Sequence, residues 1–244
     1  MIPVFRSCLL WAMCLMSTSS LLKSQEIFLN DSTVHQLPEE FFLFNPVYEN
    51  PLQVKGVHPI TYTISKVSKV DFIKKLSLGV YLACFDSISV DSVTTANLYR
   101  EFRIVQLINK QSEGYIGFLE ELINVPFVLP PKKLKEGHQT DLRLGVDCAE
   151  LAIYGRRRMG YHIPYIGPKG IAKYLEKAAS IERGSVISFG YDYQISVVYE
   201  DRGIVGALDK EDLLIHAYED KAEIIPFGNT DLSKYHHTIY RWKE

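Results

Sequence analysis

Cys148 is the side chain whose position in this sequence most favours nucleophilic chemistry. It follows Asp147, a good helix N-cap residue, and Glu150 stands three positions after that cap. In such a capping box each side chain satisfies the other residue's free backbone N–H group. Cys148 would then be the first helical residue, where the positive end of the helix dipole favours a thiolate. The alternative is a small buried hydrophobe, the usual role of a free cysteine.

The helix that positions Cys148 is predicted to end near Gly160. The basic run Arg156–Arg158 complements the negative end of the helix dipole, and Gly160 suits the left-handed residue that closes a helix. One face carries mostly small side chains, so we expect it to pack closely on a sheet. This face contains Cys148, Ala152, Gly155 and Met159.

Composition indicates a globular protein of one large or two small domains. The chain has 244 residues, 47% of them hydrophobic, and a net charge of −2. This charge balance gives no indication of nucleic-acid binding. Residues 1–24 are typical of a secretory signal peptide, with Arg6 before an apolar run from Cys8 to Met16 and small residues after it. We therefore expect export to the periplasm or cell surface, with a retained membrane anchor as the alternative and no stable membrane insertion after signal removal.

Removal of the signal peptide would leave two cysteines, Cys84 and Cys148. An exported protein could join them in a disulfide, and that bond would consume the proposed nucleophile. The two cysteines are far apart in sequence, and no histidine pair has the spacing of a helical ligand set. We expect neither a metal site nor a cofactor.

Residues 25–110 are predicted to form an N-terminal, β-rich region. Gln25–Val57 contains three prolines among aromatic residues and is interpreted as an irregular lead-in. Asp71–Leu76 is predicted as a short helix. Runs of β-branched and aromatic residues predict strands at Ile60–Ile64, Val80–Phe85, Ile88–Val90 and Ile104–Leu107.

Residues 111–244 are predicted to form an α+β domain. Helical apolar stripes cover Gly114–Ile123 and, starting at Pro168, the segment to Ala179. Helices followed by consecutive strands favour an antiparallel sheet packed on the cysteine helix. The predicted strands are Ser185–Phe189, Ile195–Tyr199, Leu213–Tyr218, Ala222–Phe227 and Thr238–Trp242.

Four stretches of this domain together resemble the NlpC/P60 family, over roughly Gly114 to Glu244. The resemblance implies a papain-like α+β fold and cleavage of peptide links in bacterial cell-wall peptidoglycan. The stretch around Cys148 resembles the family's Asp-Cys-Ser-Gly-Leu nucleophile motif. The stretches are Val125-Pro-Phe-Val128, Gly145-Val-Asp-Cys-Ala-Glu-Leu151, Arg183-Gly-Ser-Val-Ile-Ser-Phe189, and Gln194-Ile-Ser-Val-Val-Tyr199 with Ile215-His-Ala217.

The resemblance implies catalytic roles for three residues. Cys148 corresponds to the nucleophile and His216 to the third, orienting residue of the triad. Gln194 stands where the family has its histidine base, and an amide cannot take a proton from a thiol near neutral pH. His216, on the neighbouring predicted strand, is therefore our preferred base, with Gln194 polarising the thiol or helping to hold an oxyanion.

Four further residues are predicted to contact substrate. Phe127 matches a family tyrosine but lacks its hydroxyl, and Glu150 stands where the family has a small glycine. His138, in the loop before the cysteine helix, is the second choice of base. His162 is predicted to line the rim of the cleft.

The sequence thus predicts an exported cysteine hydrolase of NlpC/P60 type that cleaves amide bonds in cell-wall peptides. Two alternatives stay open. One is a catalytically impaired binding module for glycan or peptide, which Gln194 favours. The other is an acyl transferase on the same fold.

Overall fold

The computed structural model describes residues 25–49, 60–190 and 193–244. Within these ranges the fold is α+β, with two six-stranded sheets and short helices. The signal peptide predicted at residues 1–24 lies outside the described residues. In the described ranges, no helix is both long and apolar enough to span a lipid bilayer.

The first sheet is built from residues 25–109 and has the strand order β1-β6-β4-β2-β3-β5. Strand β1 pairs with β6 in parallel, and the other neighbours are antiparallel. Helices α1 (Asp31–Val34), α2 (Lys69–Lys74) and α3 (Thr95–Glu101) connect its strands. The strands are β1 (Gln25–Phe28), β2 (Glu40–Pro46), β3 (Thr61–Ser68), β4 (Gly79–Cys84), β5 (Ser92–Thr94) and β6 (Val105–Asn109).

The lead-in predicted at Gln25–Val57 is wrong over its described part, because β1 and β2 both belong to the sheet. The prolines misled the prediction: Pro46 ends β2 instead of interrupting it, and a strand end tolerates the missing N–H. The strand predicted at Ile88–Val90 is also absent, since the pairing falls at β5. Helix α2 confirms the short helix predicted near Asp71.

The second sheet is antiparallel throughout, with the order β11-β10-β9-β8-β12-β7. It confirms the five strands predicted after residue 184, within two residues at each end. The strands are β7 (Leu175–Lys177), β8 (Val186–Phe189), β9 (Gln194–Glu200), β10 (Leu213–Tyr218), β11 (Lys221–Pro226) and β12 (His237–Trp242).

The helix predicted from Pro168 to Ala179 is wrong beyond its first turn. Helix α6 covers only Pro168–Ile171, and a 3₁₀ turn at Ala172–Tyr174 leads directly into β7. Strand β7 pairs with β12 at the edge of the sheet. Tertiary pairing therefore outweighs the helical spacing of apolar residues in this segment.

The cysteine helix α5 (Cys148–Arg158) forms as predicted, preceded by helix α4 (Gly114–Glu120). The Asp147 side chain accepts the backbone N–H of Glu150 at 2.8 Å, and Gly160 has a φ of +96°. Only half of the predicted capping box exists, because the Glu150 carboxylate instead accepts the hydroxyl of Thr140.

Helix α5 is buried from Cys148 to Gly155 in a hydrophobic core that includes residues of both sheets. Helix α5 contacts β9 and β10, as predicted for a helix that packs on the sheet, whereas at Gly155 its neighbour is α4. A Cβ at Gly155 would lie 2.6 Å from the ring of Tyr115, and the Tyr115 hydroxyl donates to the Ala152 carbonyl at 3.1 Å. Glycine thus permits the close approach of the two helices.

Candidate functional site

A cavity of about 620 Å³ lies at the N-terminus of α5, in the size range of small-ligand sites. Its polar wall residues include Asp147, Cys148 and Gln194. The other described wall residues are mostly aromatic, aliphatic or glycine. They are Phe127, Leu129, Gly167, Pro168, Lys169, Gly170, Gly190, Tyr193 and Tyr218.

The ends of two neighbouring strands bring these residues together. Strand β9 begins at Gln194 and antiparallel β10 ends at Tyr218, so both side chains lie at the same end of the sheet. Phe127 joins them from the loop before α5: its N–H donates to the Asp220 carbonyl at 2.8 Å, and its ring centroid lies 6.2 Å from that of Tyr218.

The Cys148 thiol is buried, and its side chain is not activated as predicted. Cys148 is 4% exposed. Burial, with a further contribution from the charge of Asp147, raises the pKa of the thiol to about 12, against weaker lowering by backbone hydrogen bonds. The favourable helix-end position is therefore outweighed by desolvation. The prediction of a thiolate at Cys148 is therefore wrong. The possible disulfide is also absent, because Cys84 and Cys148 are both free.

Two buried carboxyl groups lie at the start of the same helix, and Asp147 is the one next to the thiol. Burial raises the pKa of Asp147 to about 6, although the N–H groups of Glu150 and Ala149 oppose this shift. Burial and the charge of Asp147 raise the pKa of Glu150 to about 8, against the hydrogen bond from Thr140. This end of α5 thus disfavours additional negative charge, including a thiolate.

Gln194 presents an amide where the family resemblance expects a base. Its Nε2 donates to the Ala217 carbonyl on β10 at 3.2 Å, which holds the side chain against that strand. Gln194 is also buried. The group can exchange hydrogen bonds with a ligand, but it has no nitrogen that accepts a proton near neutral pH.

His216 is buried on β10 and is not among the described residues that line the cavity. It lies directly opposite Glu223 of β11, with 3.7 Å between His216 Nε2 and Glu223 Oε1. Both ring nitrogens are buried without a hydrogen-bond partner among the described residues. The imidazole holds the pKa of Glu223 below its usual value. The structure therefore places His216 beside a carboxylate, one strand from Gln194.

The other two predicted histidines also lie away from the cavity wall. His138 stacks on Tyr165 with ring centroids 4.5 Å apart, and its Nδ1 accepts the Thr140 N–H at 3.4 Å and lies 3.5 Å from Glu150. Burial is the main cause that lowers the pKa of His138. His162 is exposed to solvent. Glu150 is likewise engaged with its own neighbours, so of the four predicted substrate contacts only Phe127 lies in the wall.

Sequence reasoning missed most of the apolar wall. Tyr218 could have been found, because it lies two residues after His216 in a predicted strand and so projects from the same face. Pro168 and Lys169 were assigned to a long helix that does not form. Over the described ranges, no group of three or more His, Cys, Asp or Glu side chains could hold a metal ion.

No protein-family model, curated protein or solved structure matches this chain. The site must therefore be interpreted from its own chemistry. It combines an apolar cavity, a neutral thiol, the Asp147 carboxyl and an amide, and its described wall residues include no imidazole base.

Proposed function

We propose that this chain is an exported binding module with an NlpC/P60-type, papain-like scaffold, which holds a peptide in the cavity around Cys148 without cleaving it. The proposal takes the cavity as the retained ligand site and the substitution at Gln194 as the loss of the base. Export is part of the proposal and rests on the signal-like pattern of residues 1–24.

The burial of Cys148, with an amide at position 194, carries the proposal. Burial raises the pKa of the thiol to about 12, so the sulfur is almost entirely protonated at pH 7. Cysteine nucleophiles act as thiolates or beside a base that removes the proton. The amide of Gln194 supplies no such base, and loss of general-base catalysis lowers rates by ~10²- to 10⁴-fold.

Comparison of the protein with its Cys148→Ala variant on peptidoglycan fragments tests this proposal. We expect both proteins to bind peptide fragments, as followed by calorimetry, and neither to release new amino termini. Release of amino termini that depends on Cys148 would contradict a binding function. A Gly167→Trp variant tests whether the peptide binds in this cavity, and we expect it to weaken binding. Gly167 lines the cavity, and a Cβ there meets no atom within 4 Å, so the protein has room for the larger side chain.

A cysteine hydrolase is the second candidate, and one observation favours it. The two ring nitrogens of His216 are buried without a hydrogen-bond partner in the part of the chain that the structure describes, and the Glu223 carboxylate lies 3.7 Å away. An imidazole base beside an orienting acid has this pairing. If the protein is a hydrolase, His216→Ala and Cys148→Ala will each abolish product formation. If the unmodified protein and both variants release no product but still bind peptide, the binding module is supported.

A further inference from the structure

The apolar wall of the cavity is open to solvent at its edge. Leu129 is 49% exposed and Tyr193 is 69% exposed, and both line the cavity beside Pro168. The rings of Phe127 and Tyr218 lie further along the same wall. Apolar and aromatic side chains that remain exposed around a concavity are typical of a surface that buries an apolar ligand group.

The cationic and the acidic side chain of the cavity wall differ in their exposure to solvent. Lys169 is the only cationic side chain among the described residues that line it, and Asp147 is the only acidic one. Asp147 is buried and engaged as the cap of α5, whereas Lys169 is exposed. A ligand anion at the outer part of the cavity would therefore meet a cation, while an anion near Cys148 would lie beside the Asp147 carboxyl and would be disfavoured.

Three glycines leave main-chain atoms of the wall uncovered by side chains. Gly167, Gly170 and Gly190 line the cavity together with the Gln194 amide. Backbone and amide groups pair well with a peptide main chain. The N–H groups of Gly170 and Gly190 already donate to the carbonyls of Gly167 and His236, at 2.9 and 3.0 Å. The polar atoms that remain for a ligand are therefore acceptors, namely the carbonyl oxygens of Gly170 and Gly190 and the Gln194 Oε1 atom, and a hydrocarbon chain would give them no hydrogen bond.

We infer that the cavity binds the C-terminal residue of a peptide, with a bulky apolar side chain between the aromatic walls and the free α-carboxylate at Lys169. This inference rests on the proposed binding function and names its ligand class. The peptide main chain pairs with the glycine segments and the Gln194 amide.

Calorimetry with three probes tests the inference: the tripeptide acetyl-Gly-Gly-Phe as the free acid, its C-terminal amide, and dodecanoate. We expect the free acid to bind about fivefold more tightly than the amide, because an exposed ion pair contributes up to about 1 kcal/mol. Lys169→Gln should remove this fivefold preference of the acid over the amide. Lys177→Gln, an exposed lysine on β7, is the matched control and should keep it.

The possible outcomes separate the inference from the function on which it rests. Three results would overturn the inference. The first is equal binding of the acid and the amide, and the second is tighter binding of dodecanoate than of the peptide acid. The third is no binding of the peptide acid at 1 mM, about the weakest affinity that such an assay needs to resolve. Peptide binding that persists unchanged in Gly167→Trp would instead overturn the cavity as the ligand site, and with it the proposed function.

Discussion

Two buried polar clusters contact α5, and they differ in whether their charges are paired. In the first, the Arg143 guanidinium donates to Gln106 at 2.7 Å, to Glu26 at 2.9 Å and to Glu121. Glu121 also accepts the hydroxyl of Tyr154 at 2.8 Å. Burial alone would lower the pKa of Arg143, but Tyr154 and the carboxylates raise it by more. This cluster keeps its charges inside the protein because each charge has a partner.

The second cluster surrounds the start of α5, and its acids have mainly neutral partners. Asp147 accepts a backbone N–H and Glu150 accepts a hydroxyl. Both carboxyl pKa values are raised, as is that of the Cys148 thiol. The difference shows that pairing, more than burial, decides whether a buried group stays ionised. The first cluster joins β1, β6 and α5 through paired charges, whereas the second has a protonated thiol and two carboxyl groups with raised pKa values.

Removal of Arg143 should produce the largest effect. Arg143→Met leaves the fully buried Glu121 with only its longer ion pairs to Arg158 and Lys110, at 3.3 and 3.6 Å. We therefore expect a loss of about 3 kcal/mol in the free energy of unfolding, measured with urea, at the lower end of the range for a broken buried ion pair. Arg241→Met is the matched control, because its ion pair with Glu176 is exposed and should contribute no more than about 1 kcal/mol. Equal losses in the two variants would show that pairing in the first cluster has no special weight.

This cluster could not have been predicted from the sequence. The partners of Arg143 lie 117, 37 and 22 positions away, at Glu26, Gln106 and Glu121, and no local pattern connects them. The start and end of α5 were predictable, because Asp147 and Gly160 act within one turn of the chain. The second sheet was predictable for a similar reason, since alternation along each strand is local.

A titratable base at position 194 should lower the pKa of the Cys148 thiol in the second cluster. Gln194→His would place an imidazole in the cavity wall with Cys148, and an ion pair between them would lower the thiol pKa. We expect alkylation of Cys148 by iodoacetamide at pH 7 to become about 10- to 100-fold faster, about 1.4–2.7 kcal/mol. Gln194→Asn is the control that keeps an amide. An unchanged rate in the histidine variant would mean that position 194 does not face the sulfur.

Glu150→Gln should give a smaller, pH-dependent gain in stability. The carboxyl pKa is about 8 in the folded protein against an ordinary 4.5, so the folded state holds a proton that the unfolded chain has released. Stability contributed by this group is therefore present below about pH 4.5 and is lost as the pH rises to 8. At pH 8 we expect the variant to be more stable by about 1–2 kcal/mol, or ~2–8 °C in Tm. Thr140→Val, which removes the hydroxyl donor, should have the opposite sign.

The state of the thiol was the least predictable property of the site. The helix-end position of Cys148 indicates an activated sulfur when only neighbours in sequence are considered. Its burial comes from residues distant in sequence, such as Phe127 and Ile195 in the same hydrophobic core. Desolvation by such contacts has no local sequence signal, and it reverses the sign of the predicted pKa shift.

The pH dependence of Cys148 alkylation in the native protein tests this account most directly. Mass spectrometry of the labelled peptides separates Cys148 from the second buried cysteine, Cys84. We expect a slow reaction at neutral pH, with a rate that is still rising at pH 10, as for a thiol with a pKa of about 12. A rate that reaches its plateau below about pH 7.5, the upper limit typical of activated cysteines, would contradict the account and restore the cysteine hydrolase.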